Sequence, residues 1–120
     1  MKKILLVDDS ATIRNIIRNG LTAAFDVSEA EDGVKALEIL PSCSPVSLFL
    51  LDVNMPNMDG LTLLEKIRQL PEYKSTPVLM LTTETKEEFR TKAKSLGATG
   101  WVVKPCEPDK LLATIKQILS

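Results

Sequence analysis

Apolar residues gather in three short unbroken runs: ILLV at 4–7, LFLL at 48–51 and VLML at 78–81. None alternates apolar with polar, so each predicts a strand covered on both faces, the habit of a parallel sheet. Two weaker strand segments accompany them. DVSEA at 26–30 alternates, and WVV at 101–103 is short, so both suit the edges of a sheet. Between the strands, apolar positions recur at helical spacing. ATIRNIIRNGLTAAF (11–25) aligns Ile13, Ile16, Ile17 and Leu21, with Ser10 as a candidate N-cap. GVKALEIL (33–40) aligns Val34, Leu37 and Leu40, and LTLLEKIRQL (61–70) aligns Leu61, Leu64 and Ile67. KEEFRTKAKSLG (86–97) carries Phe89, Ala93 and Leu96 beneath charge. EPDKLLATIKQIL (107–119) places Pro108 in its first turn and carries Leu111, Leu112, Ile115 and Leu119.

Strand and helix therefore alternate five times. Such a chain builds a parallel sheet with helices on both faces, joined by right-handed crossovers. With the second and fifth strands at the edges, the expected class is α/β: a flavodoxin-like (βα)5 three-layer sandwich in strand order 2-1-3-4-5. The 120 residues fit one domain, 1–120, with no linker, repeat or low-complexity segment.

Composition narrows the function by exclusion. At 44 % hydrophobic and 26 % charged, the chain matches an ordinary globular domain. Its longest apolar runs fall far short of the roughly 20 residues of a membrane helix. MKKILLVDDS begins like a secretion signal, but the aspartates interrupt it after four aliphatic residues, which points to the cytoplasm. A net charge of -1 offers no global field for nucleic acid. Histidine is absent, which removes Ser-His-Asp and Cys-His catalysis. Cys43 and Cys106 alone cannot close a zinc tetrahedron and read as small apolar filler.

The chemistry collects at the strand ends. In this fold class, ligands sit beyond the carboxyl ends of the strands near the switch point. Strand one ends in Asp8 and Asp9, strand three in Asp52, strand four in Thr82, and strand five is followed by Lys104-Pro105. Three carboxylates, a hydroxyl and an amine thus converge from four strands. Close carboxylate pairs repel by a few kcal/mol at an effective dielectric of about 20, so a cation is required. Lys104 supplies one charge. A hard dication such as Mg2+ would supply two and keep waters that a phosphate can replace. Asp52 could then attack phosphorus as a carboxylate nucleophile, with Lys104 and Thr82 hydrogen-bonding the phosphoryl oxygens.

VDDS, LDVNMPNMDG, LTTE and GATGWVVKP, in that order over essentially the whole chain, resemble the bacterial response-regulator receiver domain, most nearly the single-domain CheY-type chemotaxis regulators. The resemblance implies a two-component phosphorelay protein in which Asp52 is the phosphoacceptor and a histidine kinase the donor. It implies Mg2+, with Mn2+ as substitute, held by Asp9, Asp52 and the backbone carbonyl of Asn54, with Asp8 acting through water. It gives Thr82 and Lys104 the phosphoryl oxygens and makes Lys104–Pro105 a cis peptide. Asn54 and Glu84 fall where the family tunes dephosphorylation. Thr82 and Trp101 fall at its switch positions, Trp101 replacing the usual tyrosine or phenylalanine. Cys106 stands where a bulky apolar residue is common.

The implied output is a monomer whose α4-β5-α5 face binds a downstream target protein, the flagellar switch in chemotaxis, with an auxiliary phosphatase as a further partner. Neither nucleic acid nor membrane enters. Turnover of an external substrate is not implied, only self-phosphorylation and autodephosphorylation.

Other readings compete. Outside chemotaxis, the same features would serve a phosphorelay or an adaptor receiver that binds partners without phosphorylation. A haloacid-dehalogenase-type phosphatase wants a second aspartate two residues after its nucleophile, and Ser10 stands there relative to Asp8. A flavodoxin-like FMN carrier wants a phosphate loop of free amides, where this chain has DDSATIR. Asp59-Gly60 reads as a turn and helix cap. The charged run 86–94 reads equally as a wet helix face or a partner surface.

Overall fold

The computed structural model describes residues 1–83, 85–105 and 107–120. Five parallel strands, β1 (Lys3–Val7), β2 (Asp26–Ala30), β3 (Leu48–Leu51), β4 (Val78–Thr82) and β5 (Gly100–Val103), form one sheet in the order β2-β1-β3-β4-β5. The unbroken aliphatic runs occupy the centre and the two weaker segments the edges, because only central strands are covered on both faces. Register is continuous across the middle, with Leu5 opposite Phe49 and Leu50 opposite Leu79.

Alternation along each strand divides the core in two. On one face Leu5, Val7, Phe49, Leu51, Val78 and Met80 pack beneath α2 (Gly33–Ile39), α3 (Gly60–Gln69) and α4 (Glu87–Ser95). On the other, Ile4, Leu6, Leu48, Leu50, Leu79 and Leu81 meet α1 (Ala11–Leu21) and α5 (Pro108–Leu119), through Ile17, Leu21, Leu111 and Ile115. The result is the three-layer sandwich expected from the alternation. None of the described helices is long and apolar enough to cross a membrane.

Two helical readings need correction. The first helix stops at Leu21, four residues early, where Thr22 and Phe25 N–H groups turn back on the Arg18 and Leu21 carbonyls. Its apolar stripe is also narrower than the spacing suggests: Ile17 and Leu21 are buried, but Ile16 is 53 % exposed. In α2 the expected Val34 lies 40 % exposed, and Leu40 is buried from a 3-10 turn (Leu40–Ser42) that tightens at Pro41. Proline has no N–H to continue the α-helical ladder.

Candidate functional site

The ends of β1, β3 and β4 meet in one place. Asp8 N–H donates to the Ala30 carbonyl (3.1 Å), Asp52 N–H to that of Val7 (2.9 Å), and Lys104 N–H to that of Thr82 (2.8 Å). These backbone bonds carry the ladder one step past the strands and fix the side chains there. Gly60 makes the approach of α3 possible. A Cβ on it would collide with the Asp52 carbonyl oxygen, while its N–H bonds to Val53 at 2.9 Å.

Carboxylate oxygens of Asp8, Asp9 and Asp52 all lie within 4.8 Å of one another. Asp8 and Asp52 are only 1 % and 6 % exposed, whereas Asp9 opens to solvent. The Lys104 ammonium reaches over from the end of β5, 2.5 Å from Asp8 Oδ2 and 3.3 Å from Asp52 Oδ2. Asp8 is engaged on both oxygens, since Oδ1 accepts the Ser10 N–H at 2.9 Å. Thr82 is fully buried, on the sheet face that Val78 and Met80 share. Asn54 is exposed, two residues beyond Asp52, and its backbone N–H favours the ionised Asp52 carboxylate. The Lys104–Pro105 peptide is cis.

Burial pushes the Asp52 carboxyl above its ordinary pKa, and the Asp8 charge adds to this; Lys104 and the Asn54 N–H oppose both. Three carboxylates against one ammonium leave this cluster short of positive charge. Its donors are all carboxylate oxygens, without thiolate or imidazole, and such a set suits a hard dication.

The structure brings Asp8, Asp9, Asp52 and Lys104 together and sets Thr82 and Asn54 beside them. Trp101 lies farther off, opposite Met80 in β5 and half-buried against the α2-α4 core. Asp59 accepts the Thr62 N–H at 2.8 Å and caps α3, as its Asp-Gly context suggested. Glu84 and Cys106 lie outside the described residues.

One contributor escaped the sequence. Arg14 Nη1 donates to the Asp8 backbone carbonyl at 2.5 Å, and Glu29 holds Arg14 at 3.4 Å and Arg18 at 2.9 Å. The available signal was the Arg-x-x-x-Arg spacing one turn past the aspartates, which puts both guanidinium groups on one helix face. Glu29, a polar position of the alternating strand, completes the set only when β2 lies beside β1.

Known proteins answer to the same pattern. The model of the response regulator receiver domain matches residues 4–116. The chain belongs to this family. This receiver is 40 % identical over 119 residues to the chemotaxis protein CheY homolog of Campylobacter jejuni, spanning 98 % of this chain and 92 % of that protein. The solved chemotaxis protein CheY4 of Vibrio cholerae matches the receiver with a TM-score of 0.92 and 42 % identity, over 98 % of both chains. The Mn2+-bound form of the response regulator Rcp1 matches with a TM-score of 0.82 and 29 % identity, over 98 % of this chain and 91 % of its own.

Proposed function

We propose that this receiver is a cytoplasmic phosphorylation switch that takes a phosphoryl group from a histidine kinase onto Asp52, in a chemotaxis pathway. The observation that carries the reading is the buried Asp52 carboxylate, bridged to Asp8 by the Lys104 ammonium at the carboxyl edge of the sheet.

An ionised Asp52 oxygen forms the new O–P bond as the P–N bond to the donor imidazole breaks, and the imidazole leaves with its electron pair and takes up a proton. Lys104 lies within reach of Asp52 and is positioned to follow a phosphoryl oxygen. The Thr82 hydroxyl is the candidate for a second. Asp9, Asp52 and the Asn54 carbonyl would hold Mg2+, or Mn2+ in its place, with Asp8 acting through water. When bound, the dication supplies the positive charge that the carboxylates and the incoming phosphoryl group require. Asn54 and Glu84 would set how fast water removes the group.

The proposed output is the face formed by α4, β5 and α5. A groove of about 480 Å³ there is lined by Arg90, Lys94 and Trp101, among others. Its partner would be a downstream protein such as the flagellar switch, with an auxiliary phosphatase resetting the signal.

The test is intact-mass analysis of the purified protein after incubation with acetyl phosphate and MgCl2. One added phosphoryl group is expected, absent in Asp52→Asn and absent when the metal is chelated. No added mass at saturating donor and metal would overturn the reading and leave a receiver that binds its partners without phosphorylation.

A further inference from the structure

Half of the connection from β3 to α3, residues 52–59, is exposed: Asn54, Pro56, Asn57 and Asp59 all face solvent. It is nevertheless held at both ends. Its near end is the Gly60 contact with Asp52 and Val53 described above. Its far end rests on a different βα unit. Asn57, with φ at 66°, donates its side-chain amide to Asp32 Oδ2 at 2.8 Å. Met58 lies against Gly33 so closely that a Cβ there would come within 2.8 Å of the Met58 sulfur.

Asp32 is 7 % exposed and uses both oxygens. Oδ1 accepts the Lys35 N–H at 2.8 Å and caps α2, while Oδ2 takes Asn57. Capping α2 needs only one acceptor, which serine or asparagine would also supply. The second oxygen serves the loop. The Lys35 N–H foremost, then the Asn57 amide, hold the Asp32 carboxyl below its ordinary range, so it meets Asn57 as a charged acceptor. The bond also spans the site. Strands β2 and β3 are the two neighbours of β1 in the sheet, so it ties together the connections on either side of Asp8 and Asp9.

We propose that Asp32 and Asn57 are positioning residues for the metal: their clasp pre-orders the loop that carries Asn54, so that the loop's freedom is not lost when the cation binds. This rests on the receiver reading, in which the Asn54 carbonyl is a ligand.

The test is calorimetric titration of metal-free protein with MgCl2, without phosphodonor. Asn57→Gly removes the donor, tolerates the positive φ and leaves the α2 cap in place. Its Mg2+ dissociation constant is expected to rise by up to about tenfold, the low end of the range for partners that bond a metal ligand directly, since Asn57 acts one step further out. Asn57→Asp sets a carboxylate against Asp32, and the swapped pair Asp32→Asn with Asn57→Asp restores the bond with its donor reversed. The swap is therefore expected to bind Mg2+ more tightly than Asn57→Asp alone. Simple charge attraction predicts the opposite order, because Asn57→Asp carries the extra negative charge.

Thermal melts in chelator confirm that each variant is folded. Unchanged Mg2+ affinity in a folded Asn57→Gly, or a swap no tighter than Asn57→Asp, would overturn the clasp and leave Asp32 a helix cap. Absence of Mg2+ binding by the unaltered protein would instead sink the receiver chemistry itself, and the clasp with it.

Discussion

Asp52 is held in an environment that disfavours its charged form, since burial and the neighbouring Asp8 together outweigh Lys104. The folded protein therefore binds this proton more readily than the unfolded chain, whose reference value is 3.8. By linkage, ionised Asp52 costs stability above its raised pKa, and the cost disappears as pH falls towards the unfolded value. Asp52→Asn should stabilise the metal-free protein at neutral pH by on the order of 1 kcal/mol, with Lys104 still paired to Asp8. Urea unfolding in chelator near neutrality and at about pH 4 checks this. The gain should shrink at the lower pH. A variant less stable than the parent at neutral pH would show that the Lys104 pair outweighs burial.

At the scale of elements, four strand residues and one helix position show what periodicity can and cannot decide. All four residues of β3 are buried to within 1 % of full coverage, so LFLL was legible as a central strand. Leu50→Ala should cost about 2–5 kcal/mol, as for other fully packed leucines. Ile16→Ala should change stability by less than about 0.5 kcal/mol, because its side chain is half in water. Equilibrium denaturation of the two variants tests the contrast, and similar losses would mean that Ile16 is covered in solution. Helical spacing placed Ile13, Ile16, Ile17 and Leu21 on one face. It could not say how wide a stripe the sheet and α5 would cover.

At the scale of the molecule, the proposed chemistry at Asp52 would have to reach the proposed output face, where Trp101 is the reporter. Thr82 and Met80 share one side of β4, and Trp101 pairs with Met80 from β5 on that same side. Movement of the Thr82 hydroxyl towards a phosphoryl oxygen would alter packing along this row. Acetyl phosphate with MgCl2 should therefore shift Trp101 emission, and Asp52→Asn should abolish the shift. A silent indole in protein that mass analysis shows to be phosphorylated would mean that the row is uncoupled from the site. The surroundings to watch are α4 residues Arg90 and Lys94, which line the same groove.

The amino-acid sequence by itself determined the strands, their central or edge rank and hence the sheet order, because burial on both faces leaves unbroken aliphatic runs that local reading can see. It also determined that Asp8, Asp9, Asp52, Thr82 and Lys104 end up at one edge, since each ends a strand or follows one within two residues, and the place of that strand in the sheet was already set. Only the tertiary structure decided which partners those residues take. That Arg14 grips the Asp8 carbonyl and Asn57 catches Asp32 depends on surfaces 6 and 25 positions apart along the chain. Arg14 showed its helix face through the spacing to Arg18 but not its acceptor, and Asn57 and Asp32 sit in turns without periodicity, so their meeting becomes visible only once β2 and β3 have taken their places beside β1.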